Sequence, residues 1–175
     1  TDDEVVKEAS KQEIIRRYFR YSCEYAMGFT DRDTVQRVEL LMEELDLTPE
    51  DRPVVKPARQ TAVESQEEEK GNEGIYCGAA ILLDDGTIIT GKNSPLLHAT
   101  PALILNAIKT LAGIPDNIHL LSPGVIDSIR KMKGDLLGSR SLSLDLEETL
   151  IALAISAGAN PTAHAAMEHL PDLQK

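Results

Sequence analysis

The chain has 175 residues, with 18 Lys plus Arg against 29 Asp plus Glu, and a formal net charge of -11. This acidic balance (pI near 4.8) speaks against nucleic acid as a main partner and against anionic membrane surfaces, because both need a cationic face. The length suits one medium domain or a small domain with an appendage, and the 42% apolar content can supply a core without staples.

The first half reads as helix. Thr1-x-x-Glu4 and Ser10-x-x-Glu13 both have capping-box spacing, so a short helix is expected before a longer one. Ile14, Ile15, Tyr18, Phe19, Tyr25 and Ala26 keep a helical period, and Gly28 supplies the stop. Thr30 or Asp31 opens a second helix with an apolar stripe at Val35, Val38, Leu41, Met42 and Leu45. Thr48-Pro49-Glu50-Asp51 reads as N-cap, N1 proline and acidic first turn of a third helix running toward Val63, with an irregular start at Pro53 and Pro57. The charged run Glu67 to Asn72 marks a boundary. The expectation is a helical subdomain over residues 1–70 and an α/β subdomain over 71–175.

After that boundary the period changes. Ile75 to Leu83 and Thr87 to Thr90 flank the turn Asp84-Asp85-Gly86, a β-hairpin signal. Thr100-Pro101 opens a helix apolar on most faces that ends at Gly113, as a helix between two layers would be. Ile118 to Leu121 reads as a short buried strand, and Ser122-Pro123 as N-cap and N1 of the next helix. Asp145-x-x-Glu148 caps another apolar helix whose Leu150 to Ile155 stripe is expected in the core, and Asn160-Pro161 starts the last helix. Hairpin, crossover helix and strand imply parallel pairing, hence a small α/β/α layered unit with an incomplete sheet.

Few motifs carry chemistry. No apolar run approaches the ~20 residues of a membrane span; Leu142 to Ala159 is interrupted by Asp145, Glu147 and Glu148. The acidic start, Thr1 to Glu4, reads as no signal peptide, and the absence of an initiator Met reads as a piece of something longer. Cys23 and Cys77 are far apart and without ligand neighbours, so both are expected as reduced, buried thiols of a cytoplasmic protein. The hairpin, the helix start at His98 and the turn at Pro123 resemble the layout of zinc-dependent cytidine deaminases. Their general acid/base glutamate would fall on Thr100, and their two cysteine ligands on Gly124 and Asp127. Zinc catalysis needs three protein ligands and an open water site, so neither a metal site nor any catalytic residue is expected. Gly91-Lys92-Asn93-Ser94 lacks phosphate-loop spacing. His119 falls within the presumed strand, and His164 and His169 on the last helix read as solvated surface. Tyr18, Tyr21 and Tyr25 form a ridge suited to core or interface packing.

Two stretches carry a family resemblance. One runs from Thr1 to Tyr18. The other comprises Leu105 to Ile114, Ile118 to Pro123, Leu146 to Leu153 and Asn160 to Thr162. Together they resemble the C-terminal part of a bacterial family of unknown function with much longer members, some of them labelled ATP-dependent peptidase. The region from Arg59 to Gly74 departs most. The resemblance implies a helical subdomain followed by a deaminase-like α/β subdomain. It also implies a phosphate-loop-like segment in the family's N-terminal part, unmatched here, and further strand-like sequence past the point matching Lys175.

The expected role is a non-catalytic accessory or interaction region, with no cofactor, whose partner is the remainder of a longer protein or a second copy. The alternatives are a share in an ATP-dependent hydrolase or peptidase, and a small-ligand module. Ligands of open α/β sheets gather beyond the carboxyl ends of strands. That places Asn93, Ser94, His98, Thr100 and Ser122 as the candidate binding residues.

Overall fold

The computed structural model describes residues 3–173. The chain divides into two compact units, residues 1–55 and 56–175.

The first unit is helical. Helix α1 runs unbroken over Asp3–Ala26 and α2 over Arg32–Glu44. The break expected at Ser10 does not form. The Ser10 hydroxyl donates to the Val6 carbonyl (2.8 Å), so the side chain is satisfied inside the helix instead of capping a new one. Thr1 of the other capping box lies outside the described residues. At the far end, Gly28 (φ 78°) closes α1 as expected: its N–H reaches the Tyr25 carbonyl and that of Phe29 reaches Glu24, a full Schellman closure. Asp31 caps α2 by accepting from the Thr34 amide (2.8 Å). The two helices pack on each other, with Ile15, Val35 and Met42 buried, whereas Leu41, Leu45 and Tyr25 stay exposed. Thr48 to Asp51 makes a single 3-10 turn, Pro49–Asp51, and no continuous helix. Pro53 interrupts it, and α3 starts at Val55 with Pro57 tolerated in its first turn.

The second unit is α/β. Helix α3 (Val55–Glu67) starts at the division and belongs to this unit beyond its first residue. Strands β1 (Gly78–Leu82) and β2 (Ile88–Lys92) pair antiparallel, with Gly78 opposite Lys92 and Leu82 opposite Ile88. Gly86 takes φ 86° at the turn, and the Asp85 carboxylate accepts from the Thr87 amide. Helix α4 (Ala99–Leu111) lies on one face of the hairpin. It approaches so closely that a Cβ on Gly91 would meet the backbone of Leu103 and Ala99. Helix α3 touches the opposite face at Gly78, where a Cβ would strike the Ala58 carbonyl, and Lys92 reaches Glu68 just past the end of α3 (2.7 Å). Beyond α4 stand α6 (Leu146–Ala157) and α7 (Pro161–Met167), preceded by α5 (Pro123–Lys131) and a π-turn, Met132–Leu136. The order of layers is therefore α3, hairpin, α4, then α6 with α7. The core sits between the last two layers, on Ile108, Leu120, Leu144, Ala152, Leu153 and Ala163.

Three expectations are corrected here. Ile118 to Leu121 forms no strand; among the described residues the sheet has β1 and β2 alone. Leu120 and Leu121 are buried as expected, but the Ser122 amide donates to the Ser156 hydroxyl (2.9 Å), so a helix side chain takes the place of a neighbouring strand. The deaminase-like crossover is thus not made, and His119 sits exposed in an irregular segment. The parallel contact that does form is a bridge between Leu97 and Leu144. Second, Ile151 and Ile155 of α6 are 58% and 57% exposed, outside the core. Third, both cysteines are free and exposed. Cys23 lies on a solvent-facing part of α1, and Cys77 precedes the ladder.

Candidate functional site

The loop between β2 and α4 holds most of the residues singled out in the sequence. Asn93 is buried, and its side chain is committed to the backbone. Its Oδ1 accepts from the Cys77 amide (2.7 Å) and its Nδ2 donates to the Ile75 carbonyl (2.8 Å). Those bonds tie residues 75–77 alongside β2 where the ladder has ended. The Ser94 hydroxyl accepts from the amides of Leu96 and Leu97 (both 3.2 Å), a local turn, and the Ser94 carbonyl accepts from the Ser143 hydroxyl (3.0 Å). His98 is the N-cap residue of α4 without a side-chain cap bond. Its amide donates to the Leu144 carbonyl (3.0 Å), while the ring is exposed. Thr100 is exposed in the first turn of α4. Ser122 is the N-cap residue of α5, also without a side-chain cap bond. The structure thus gives Asn93 and Ser94 bracing roles. His98, Thr100 and Ser122 keep side chains toward solvent. Among the described residues no three His, Cys, Asp or Glu side chains converge on a point.

A cleft of about 280 Å³ opens in the second unit between that loop, α4, α5 and the segment 116–121. Leu96, Leu105, Leu120 and Ile126 give it apolar walls, and Asn106, Lys109, Asp116 and His119 supply its polar groups. None of the five residues expected from sequence lines it. Asn106 is anchored by its Nδ2 donating to the Thr90 carbonyl (2.9 Å). Lys109 is 8% exposed, and its ammonium donates to the Asp116 carbonyl at 2.6 Å. Sequence reasoning passed over Lys109, although one cation inside the run from Leu103 to Ala112 is a visible irregularity.

A second lysine is buried in the same unit. Lys133, in the π-turn, is 6% exposed and donates to Glu148 Oε2 (2.6 Å) and to the Ser143 carbonyl (2.7 Å). Glu148 also closes the capping box of α6. Its Oε2 accepts from the Asp145 amide, and its own amide donates to Asp145 Oδ1, each at 2.9 Å. One carboxylate therefore neutralises a buried cation and starts a helix.

Residues 50–175 match the family described as domain of unknown function DUF1846, C-terminal. Residues 1–46 match domain of unknown function DUF1846, N-terminal. A UPF0371 protein of Clostridium botulinum (strain 657 / Type Ba4) is 51% identical over 174 residues, covering 99% of this chain and 34% of the relative. A UPF0371 protein of Clostridium tetani (strain Massachusetts / E88) is 49% identical over 173 residues, with the same two coverages. The chain spans about a third of the length of these curated relatives.

Proposed function

The chain belongs to the DUF1846 family, and from that premise we propose that it serves as a non-catalytic accessory and interaction region of a longer cytoplasmic protein, completed by the remainder of that polypeptide. The observation that carries this reading is the open side of α6. Ile151 and Ile155 are one turn apart, both more than half exposed, on a helix whose other side is buried in the core. Covering such side chains gains about 1–2 kcal/mol each, so an uncovered pair on a helix already docked marks a surface with a partner. The hairpin agrees with it. A two-stranded sheet has two open edges, and its outermost pair, Leu82 and Ile88, is 45% and 37% exposed. The length of the relatives supplies a reason for the partner to be more of the same polypeptide. The cytoplasmic reading rests on the unpaired thiols of Cys23 and Cys77; among the described residues no helix is long and apolar enough to cross a membrane.

The test is a pair of charge substitutions, Ile151→Asp with Ile155→Asp, made in the isolated chain and in the intact polypeptide. The isolated chain should keep its urea midpoint. The intact polypeptide should lose stability or expose the chain to protease. Equal tolerance in both would contradict the reading. A loss that appears with protein concentration would transfer the surface to a second copy.

A further inference from the structure

The two buried lysines of the second unit differ in one respect, and that difference points to a ligand. An ammonium has three N–H donors and a charge, and taking it out of water is costly unless both are answered. Lys133 has both answers: a carboxylate oxygen of Glu148 at 2.6 Å and a carbonyl at 2.7 Å. Lys109 is buried to the same degree and has one, the carbonyl of Asp116. Asp116 turns its backbone and not its carboxylate to the ammonium; among the described residues no carboxylate pairs with Lys109. Its place in the last turn of α4 eases the charge in part, because helix carbonyls point that way. Lys109 also forms part of the wall of the apolar cleft.

We propose that this cleft binds a small monocarboxylate with an apolar body, whose carboxylate supplies the counter-charge and acceptors that Lys109 lacks. Leu96, Leu105, Leu120 and Ile126 would receive the apolar part. The size selects a short ligand: about 280 Å³ is room for roughly nine water-sized groups, the low end of ligand pockets. The charge selects a monoanion. One ammonium balances one negative charge, and Asp116 among the lining residues adds a negative charge of its own, so a phosphate dianion is the poorer fit. The inference concerns Lys109 and its cleft alone and stands apart from the partner proposed for α6.

The experiment uses the intact polypeptide with three probes of equal chain length: sodium hexanoate, hexylamine and 1-hexanol. Binding is followed through the methyl resonances of Leu105, Leu120 and Ile126, with Ile151 as a probe outside the cleft. Hexanoate should shift the cleft methyls and bind at least about tenfold more tightly than hexylamine. Lys109→Met, which keeps the stem and removes the charge, should weaken hexanoate about tenfold and leave 1-hexanol nearly unchanged. If that variant does not fold, the ranking of the three probes on the unmodified protein still decides. Equal binding of all three, shifts confined to Ile151, or no hexanoate binding at tens of millimolar would overturn the proposal. The last outcome would mean that the rest of the polypeptide fills the cleft.

Discussion

Helices α4 and α6 are built from much the same residues and end in different surroundings. Helix α4 carries Leu103, Ile104, Leu105, Ala107 and Ile108; α6 carries Leu150, Ile151, Ala152, Leu153 and Ile155. Helix α4 is covered by the hairpin on one side and by α6 and α7 on the other, so its large side chains are buried around most of its circumference. Helix α6 is covered on the side of Ala152, Leu153 and Ser156, and Ile151 and Ile155 face outward. An apolar run states that a helix needs cover. It does not state whether the cover lies within the same stretch of chain.

That contrast can be broken at its most buried point first. Ile108 is fully buried, so Ile108→Ala should cost about 2–5 kcal/mol in urea unfolding of the chain; a shift near zero would remove α4 from the centre of the unit. Gly91→Ala comes next. A Cβ there would collide with the backbone nitrogen of Leu103, and prising the hairpin off α4 should cost about 1–3 kcal/mol, read from the same midpoint. Asp145→Ala removes the cap of α6 and should cost about 1 kcal/mol; if calorimetry finds it neutral, α6 is held by packing alone. Ile155→Ala in the isolated chain should stay within about 0.5 kcal/mol, and a value matching Ile108→Ala would erase the contrast.

The smallest effect concerns the hairpin's other face. Hydrogen bonds from Lys92 and Lys70 hold the Glu68 carboxyl below its ordinary value of 4.5. The stabilisation is therefore complete above that ordinary value and is lost as pH falls through the lowered one. Glu68→Gln should flatten this acid-side decline in thermal midpoint; the group is exposed, so the change is small. An unchanged pH profile would show that α3 holds the sheet without its ionic tie.

Local rules made much of this fold legible in the sequence. Asp31, Asp145 and Asn160 cap their helices through short bonds to their own next turn, and Gly28 and Gly86 take the positive φ that a stop and a turn require. Such features depend on neighbours in the chain. The misreadings were tertiary. Ser10 has the spacing of a cap, yet inside a long helix its hydroxyl finds the Val6 carbonyl. Ile118 to Leu121 has the composition of a strand, but a strand needs a ladder partner, and Ser156 takes the Ser122 amide instead. The surroundings of the candidate residues are tertiary in the same way. Asn93 and Ser94 looked free in a loop and are consumed by backbone 16 and 3 residues away, respectively. Lys109 drew no notice, because a lone lysine in a helix says nothing about burial until the segment 116–121 folds over it.

Hydroxyl-radical footprinting tests the central claim most directly, since it reads side-chain exposure residue by residue. In the isolated chain Ile151, Ile155, Leu82 and Ile88 should be oxidised readily, and Ile108 and Leu153 protected. In the intact polypeptide the first four should become protected as well. Unchanged oxidation of Ile151 and Ile155 in the intact polypeptide would contradict the account, leaving the outer side of α6 as ordinary surface.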